Sequence, residues 1–312
     1  MRDLNILPKL RDSLTYAYVD QAVIQRYRNA VEVVDQHGKT ALPIAAMTVL
    51  LLGPGTRITH EAVKLLAENG CSIVWVGQDG TRYYAQGTGE TRKGYRLLHQ
   101  ARLVSDPTLH RQVVMKMYTH RFGEKLDPDL SVEQVRGHEG VRVRNTYKHM
   151  SHRYRVPWRG RRYDRNKWEG ADPINRALSA ANALLNGLCH AAIVSGGYSP
   201  GLGFIHTGKQ LSFVYDVADL YKTEFTIPAA FETVSLGEID VEKRVRQRLR
   251  EQFKAGKLMQ RILPDIDNIL AITEEMAQGD IYDEDSGLPT PLWDEVNEGE
   301  DYEDGEGEQW SS

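Results

Sequence analysis

The sequence predicts an α+β protein. A β-rich, sandwich-like N-terminal domain covers residues 1–88, a larger all-α domain covers 89–278, and an acidic disordered tail covers 279–312. Three observations carry this prediction. The first 88 residues break into short runs rich in Val, Ile and Tyr, punctuated by Gly, Pro and Asp. The middle of the chain carries helix caps and helically spaced apolar residues. Beyond Arg261 there is no Lys or Arg, and acids crowd among Gly, Ser and Pro.

In the N-terminal part, residues 14–18, 22–27 and 30–35 read as strands, with a turn at His37-Gly38-Lys39. Residues 47–52 form a continuous apolar run bounded by Gly53-Pro54-Gly55, as expected of a buried strand. Thr59 suits the N-cap of a helix whose apolar face is Ala62, Val63, Leu65 and Leu66, and Gly70 ends it. Strand 72–76, the turn Gln78-Asp79-Gly80 and strand 81–86 follow. Residues 87–94, with three glycines, read as a linker.

Helical signals then dominate. Asp106-Pro107 is a cap followed by proline at the first helical position, and Gly123 closes that helix. Ser131 with Gln134 makes a capping box for a helix running to about Tyr154. Asp172-Pro173 opens an Ala- and Leu-rich core helix that ends near Gly196-Gly197. A short helix over 213–221, one starting at 228–231, and one or two over 241–262 complete the set.

Composition excludes several classes. Two cysteines, Cys71 and Cys189, give neither a disulfide framework nor zinc-finger spacing, and apolar surroundings make them buried thiols. The N-terminus lacks a signal-peptide hydrophobic region, and apolar stretches such as 45–52 are too short to span a bilayer, so a cytoplasmic protein is expected. The net charge of −4 conceals a polarity: residues 1–261 hold all 39 basic residues against 26 of the 43 acids. From Arg136 to Lys167 there are 11 basic residues and two acids, interleaved with Tyr147, Tyr154, Trp158, Tyr163 and Trp168. Cations that repeat with aromatics fit a polyanion with unpaired bases; a solvated helix face is the alternative. The tail reads either as a solubilising end or as a segment competing with DNA for the basic surface.

Within that cationic stretch lies Glu139. Further on come His206, in Gly203-Phe-Ile-His206-Thr-Gly208-Lys209, and Asp216 and Asp219, three apart on one helical segment. Carboxylate oxygens and an imidazole suit Mg²⁺ or Mn²⁺, and such a centre among cations suits chemistry on phosphodiesters. Singly, Glu139 also reads as a helix ion-pair partner of Arg136 or Arg142, His206 as a core histidine, and Asp216 as a cap. Gly203 to Lys209 matches the glycines and lysine of a P-loop, but Gln210 stands where Ser or Thr should hold a metal, and no clear strand precedes it. Gly87-Thr-Gly89 lacks the third glycine of a dinucleotide fingerprint.

Several separated strings agree in order with one family. They are Arg136-Gly-His-Glu139-Gly-Val-Arg142-Val-Arg144, Gly160-Arg161-Arg162-Tyr163-Asp164, Gly203 to Lys209, and Leu211-Ser-Phe-Val-Tyr215-Asp216-Val-Ala-Asp219, together with Leu52 to Arg57 and Val74 to Gly77. Over roughly residues 8–275 the chain resembles the CRISPR-associated spacer-acquisition integrases, the Cas-one family, in its subtype I-E branch. The resemblance implies a β domain followed by a helical domain, a homodimer, and assembly with a small partner, Cas-two. A host factor that bends target DNA fits the subtype. It places metal ligands, Mg²⁺ or Mn²⁺, on Glu139, His206 and Asp219, with Asp216 as a further acid nearby. The implied chemistry is attack by the 3′-hydroxyl of a prespacer fragment on a repeat phosphodiester of the CRISPR array. In the surrounding frame, Lys209 suits a phosphate, Tyr163, Trp168 and Tyr215 suit stacking on splayed ends, and Arg57, Arg82, Arg142 and Arg144 suit backbone tracking. A catalytically silent DNA-binding scaffold and a metal-dependent RNA nuclease are the competing readings.

Overall fold

The computed structural model describes residues 16–44, 47–80, 82–87, 94–124, 126–127, 129–161, 172–273 and 275–276. Tyr163, Trp168, the linker residues 88–93 and the acidic tail lie outside them, as do the expected domain boundaries at 88 and 279.

The N-terminal region holds two four-stranded sheets. In the first, β1 (Tyr16–Val19), β5 (Val49–Leu52) and β7 (Ser72–Val76) run parallel, and β8 (Tyr83–Gly87) closes the edge antiparallel to β7. In the second, β4 (Gly38–Leu42), β3 (Ala30–Asp35) and β2 (Val23–Tyr27) form an antiparallel meander, and β6 (Arg57–Ile58) pairs parallel with β2. Helix α1 (His60–Glu68) packs between them, its N-terminus capped by the Thr59 hydroxyl accepting from the Ala62 amide. Ala62 and Leu66 of α1 share a core with Ile24, Val31 and Val33 of one sheet and Leu50, Leu52 and Ile73 of the other.

The strands at 30–35 and 72–76 lie where the sequence places them, and the boundaries of the others shift by one or two residues. Two strands, β4 and β6, were not expected. Gly-Lys-Thr-Ala-Leu is a mostly exposed edge with too few apolar residues to signal a strand, and β6 has only two residues. The hairpin turns at Gln36–His37 rather than 37–39: Asp35 accepts from the His37 amide at 2.7 Å, and Gly38, at φ +128°, already starts the next strand.

The apolar run of β5 is buried throughout. Its alternate residues serve two different cores. Leu50 and Leu52 face the β core, while Val49 and Leu51 join Val74 and Val76 in the helical core. One sheet is thus the floor of both regions, and this explains why β5 is continuously hydrophobic rather than alternating.

The helical region comprises α2 (Tyr95–Ser105), α3 (Pro107–Phe122), α4 (Val132–Tyr154), α5 (Pro173–Ser195), α6 (Ser212–Asp219), α7 (Ile227–Ser235), α8 (Val241–Ala255) and α9 (Leu258–Ile269). The caps fall as expected. Asp106 accepts from Thr108 and Leu109, the Ser131–Gln134 box is reciprocal, and Asp172 accepts from Asn175. Gly123 ends α3 in the left-handed region at φ +74°. The helix expected from residue 228 begins earlier. A π-helical turn, Lys222–Thr226, runs directly into α7, whose Pro228 has no amide to donate back into the preceding turn.

Helix α5 is the hub, with 16 of its 23 residues buried. By length and composition it is apolar enough to cross a membrane, contrary to the expectation that every apolar stretch is too short. Its apolar surface faces protein on most sides, as in a core helix. At its C-terminal part, His190 stacks on Tyr83 of β8 with ring centroids 3.6 Å apart, joining the hub to the sheet. Burial pushes the His190 imidazole down to about 4.

Candidate functional site: an acidic pair among cations

Helix α4 points little of its surface inward. Its buried residues are Val135 and, one turn on, Glu139, which is only 7% exposed. A carboxylate so placed needs partners. The Arg121 guanidinium, from the last turn of α3, donates to Glu139 Oε1. Arg142, one turn further along α4, stands 3.7 Å from Glu139 Oε2 and lies over the Phe122 ring.

The same Arg121 guanidinium reaches Asp219 Oδ2 at 3.7 Å. Asp219 ends α6, and Lys222, the first residue of the π turn, pairs with its Oδ1. One largely covered guanidinium therefore bridges two carboxylates 80 residues apart in sequence. Glu139 Oε2 and Asp219 Oδ1 are buried oxygens that accept no hydrogen bond and are met only by ion pairs.

Asp216, one turn earlier on α6, does different work. It is fully buried and gathers the loop before the helix. Its Oδ2 accepts from the Phe204 and Ile205 amides at 2.6 and 3.1 Å, and its Oδ1 from the His206 amide at 2.9 Å. The His206 ring closes the set, Nδ1 lying 2.7 Å from Oδ1. A carboxylate oxygen only accepts, so Nδ1 donates to Asp216, and Nε2 takes no part in that bond; the side chain is 42% exposed. Gly203 permits this fold: a Cβ there would stand 2.2 Å from the His206 carbonyl oxygen and 2.7 Å from Ser212 Cβ.

Of the residues singled out in the sequence, Glu139 and Asp219 come together and His206 is tied to Asp216, one turn from Asp219. Asp216 and Asp219, three apart, do not share a partner. Among the described residues, no three His, Cys, Asp or Glu side chains stand grouped closely enough to hold a metal ion together. Tyr215 packs edge-on against His206, ring centroids 5.9 Å apart. Lys209 and Arg144 are exposed, and Arg57 lies exposed on β6 in the β region. Arg82 lines a cleft of about 290 Å³ with Tyr84, Ser179 and Arg246. Two of the aromatics within the cationic stretch are not open stacking platforms. Tyr147 and Trp158 stack on each other at 4.4 Å, and both rings approach the core residue Phe231.

Sequence reading missed Arg121 and Lys222. Lys222 was findable, since i,i+3 spacing from Asp219 puts it on the same side. Arg121 sits in an ordinary basic last turn, and nothing local tells that it crosses to another helix. A hollow of about 640 Å³ beside the site, lined by Phe122, His138, Arg142, Asn145 and His149, was also missed.

Fold and site together define a protein with a two-sheet β region, a helical bundle, and a paired-carboxylate centre embedded among cations. The family model described as "CRISPR associated protein Cas1" matches residues 15–123 and 118–255. The chain is 54% identical over 293 residues to a CRISPR-associated endonuclease Cas1 of Thermus thermophilus, covering 94% of this chain and 90% of that relative. It is 41% identical over 272 residues to the CRISPR-associated endonuclease Cas1 of Escherichia coli, covering 87% of this chain and 89% of the relative. A solved structure described as a TtCas1–DNA complex superposes with a TM-score of 0.78 at 55% identity, covering 86% of this chain and all of the other. This chain belongs to the Cas1 family.

Proposed function

We propose that this protein is a metal-dependent DNA integrase and endonuclease of CRISPR adaptation, of the I-E subtype. The observation that carries the proposal is the Glu139–Asp219 pair joined through Arg121, set one helical turn from the Asp216 that orients His206. The relatives named as endonucleases and the related complex with DNA support DNA as the polymer.

The donor set fits Mg²⁺ or Mn²⁺: two carboxylates, each with a buried oxygen that accepts no hydrogen bond, and an imidazole whose Nδ1 is fixed by Asp216. Glu139, His206 and Asp219, which do not stand grouped as a ligand set in this structure, would have to draw together to hold the cation. When bound, it would polarise the scissile phosphate and stabilise charge on the transition state.

The protein's own groups do the rest. Asp216 keeps the imidazole in one orientation. Arg142, already beside Glu139, supplies positive charge where a phosphate arrives, and exposed Lys209 and Arg144 suit its flanking phosphates. In joining, the 3′-hydroxyl oxygen of a prespacer fragment bonds to phosphorus of a repeat phosphodiester as the bond to the leaving 3′ oxygen breaks. The attacking hydroxyl loses a proton and the leaving oxygen gains one, so no water is consumed. Cleavage of branched DNA replaces that hydroxyl with water. Two attacks on opposite strands insert a spacer. We place the reaction in the cytoplasm, in a homodimer joined to Cas-two, with a host DNA-bending factor assisting.

One observation favours a second reading, a DNA-binding scaffold without chemistry: Arg121 and Lys222 already neutralise the acidic pair. Strand transfer separates the two. Protein and Cas-two are mixed with duplex DNA bearing 3′-hydroxyls and a supercoiled repeat-array plasmid, with Mg²⁺, Mn²⁺ or chelator. Metal-dependent joining is expected. DNA binding without joining or cutting supports the scaffold, and cleavage of RNA alone defeats the integrase reading.

A further inference from the structure

We propose that Arg121 is the internal counter-cation of the metal site, a positioning residue that holds Glu139 and Asp219 together and is displaced when a divalent cation binds. The inference rests on the metal-dependent reading above. Two carboxylates from different helices repel one another when brought together in a poorly hydrated place. Arg121 answers that repulsion with one guanidinium nitrogen, Nη2, shared between Glu139 Oε1 and Asp219 Oδ2. Its side chain is only 10% exposed, and its guanidinium lies 5.6 Å from the Tyr118 ring centroid, so it is packed as well as paired. A dication held by Glu139 and Asp219 would compete with it for their oxygens.

Arg142 and Lys222 add two further charges at the outer oxygens, leaving the cluster with three cations against two anions. A dication entering that arrangement meets net positive charge, so its arrival requires the guanidinium to withdraw. The released guanidinium, which meets the carboxylates through Nη2 alone, can take a phosphate group as its new partner. Metal binding and DNA binding are then coupled: a phosphate provides Arg121 with a new partner and so favours the metal, and by linkage the metal favours the phosphate.

The test is Mn²⁺ affinity, read by electron paramagnetic resonance of unbound Mn²⁺, for wild type, Arg121→Gln, Arg121→Lys and Glu139→Gln. Each is measured with and without a short DNA duplex ending in 3′-deoxy nucleotides. Without DNA, Arg121→Gln is expected to bind Mn²⁺ about tenfold tighter than wild type. Arg121→Lys, which keeps the charge on a differently shaped and unstacked head group, falls between them. DNA is expected to tighten Mn²⁺ binding to wild type and to have a much smaller effect on Arg121→Gln. A purely structural role predicts the opposite, since a disordered site binds metal more weakly. Equal or weaker Mn²⁺ binding by both Arg121 variants, with wild-type binding still dependent on Glu139, overturns the role of Arg121 alone. Mn²⁺ binding unaffected by Glu139→Gln overturns the metal site and this inference with it. Should Arg121→Gln not fold, the lysine variant decides.

Discussion

Asp216 and the Glu139–Asp219 pair are acids within one site, two of them buried and Asp219 largely covered, yet they are held in opposite ways. Asp216 accepts three backbone amides and the His206 ring, all from one short loop. Its partners are fixed by the chain and cannot leave without unfolding that loop. Glu139 and Asp219 are met by Arg121, Arg142 and Lys222, at the ends of long side chains, and each keeps an oxygen that accepts no hydrogen bond. The first arrangement is scaffold, and the second is exchangeable. A buried acid satisfied by backbone positions its neighbours, whereas one satisfied by side-chain cations has partners that can change without unfolding a loop.

The sharpest way to break the comparison is to remove charge from the exchangeable pair. Glu139→Gln is expected to lower strand transfer about a thousandfold or more while leaving the fold intact, as checked by joining assays beside circular dichroism. The complementary change should do the reverse. Asp216→Ala strands three amides and an imidazole proton, and about 3–5 kcal/mol of stability should go, measured by urea unfolding. Asp219→Asn leaves Arg121 its Glu139 partner and lets the more exposed Lys222 turn away, so it should cost less, about 1–3 kcal/mol. Equal losses at the two positions would erase the distinction.

A third, weaker effect must be separated from both. His190 is buried away from these acids, and its pKa is depressed to about 4. The unfolded chain binds that proton more readily, so the stability contribution is complete above about pH 6.5 and falls as pH drops toward 4, by about 3 kcal/mol in all. His190→Phe should keep the stack on Tyr83 and remove that part of the acid slope in unfolding measured from pH 7 to 4. An unchanged slope would mean the ring is protonated within the fold. The smallest effect belongs to the exposed frame. Arg144→Ala should leave stability alone and flatten the salt dependence of DNA binding by about one phosphate contact.

Much of this arrangement was legible in the sequence, where the determinants are local. Thr59, Asp106, Ser131 and Asp172 each announce a helix start because a cap is a short-range hydrogen bond. The buried strand at 49–52 shows as an apolar run, although which core each residue serves does not. Edge strand β4 and the two-residue β6 escaped because their pairing supplies the stability that their composition does not advertise. In the site, Glu139, His206 and Asp219 were legible as candidate ligands from residue type and then from family resemblance, and Asp216 as a helix cap or a further acid nearby. Its role as the clamp on His206 depends on a loop folding back twelve residues, which spacing does not reveal. Arg121 was invisible for the same reason. Tyr147 and Trp158 misled, because an aromatic between cations looks alike whether it faces solvent or Phe231.

The most direct test measures joining and unfolding on the same two proteins, Glu139→Gln and Asp216→Ala, in Mn²⁺ with Cas-two and 3′-hydroxyl DNA. The account predicts a Glu139→Gln protein that unfolds like wild type, binds DNA and joins nothing, beside an Asp216→Ala protein that has lost several kcal/mol of stability. Joining at wild-type rate by Glu139→Gln would contradict it, because the paired carboxylates would then have no part in the chemistry.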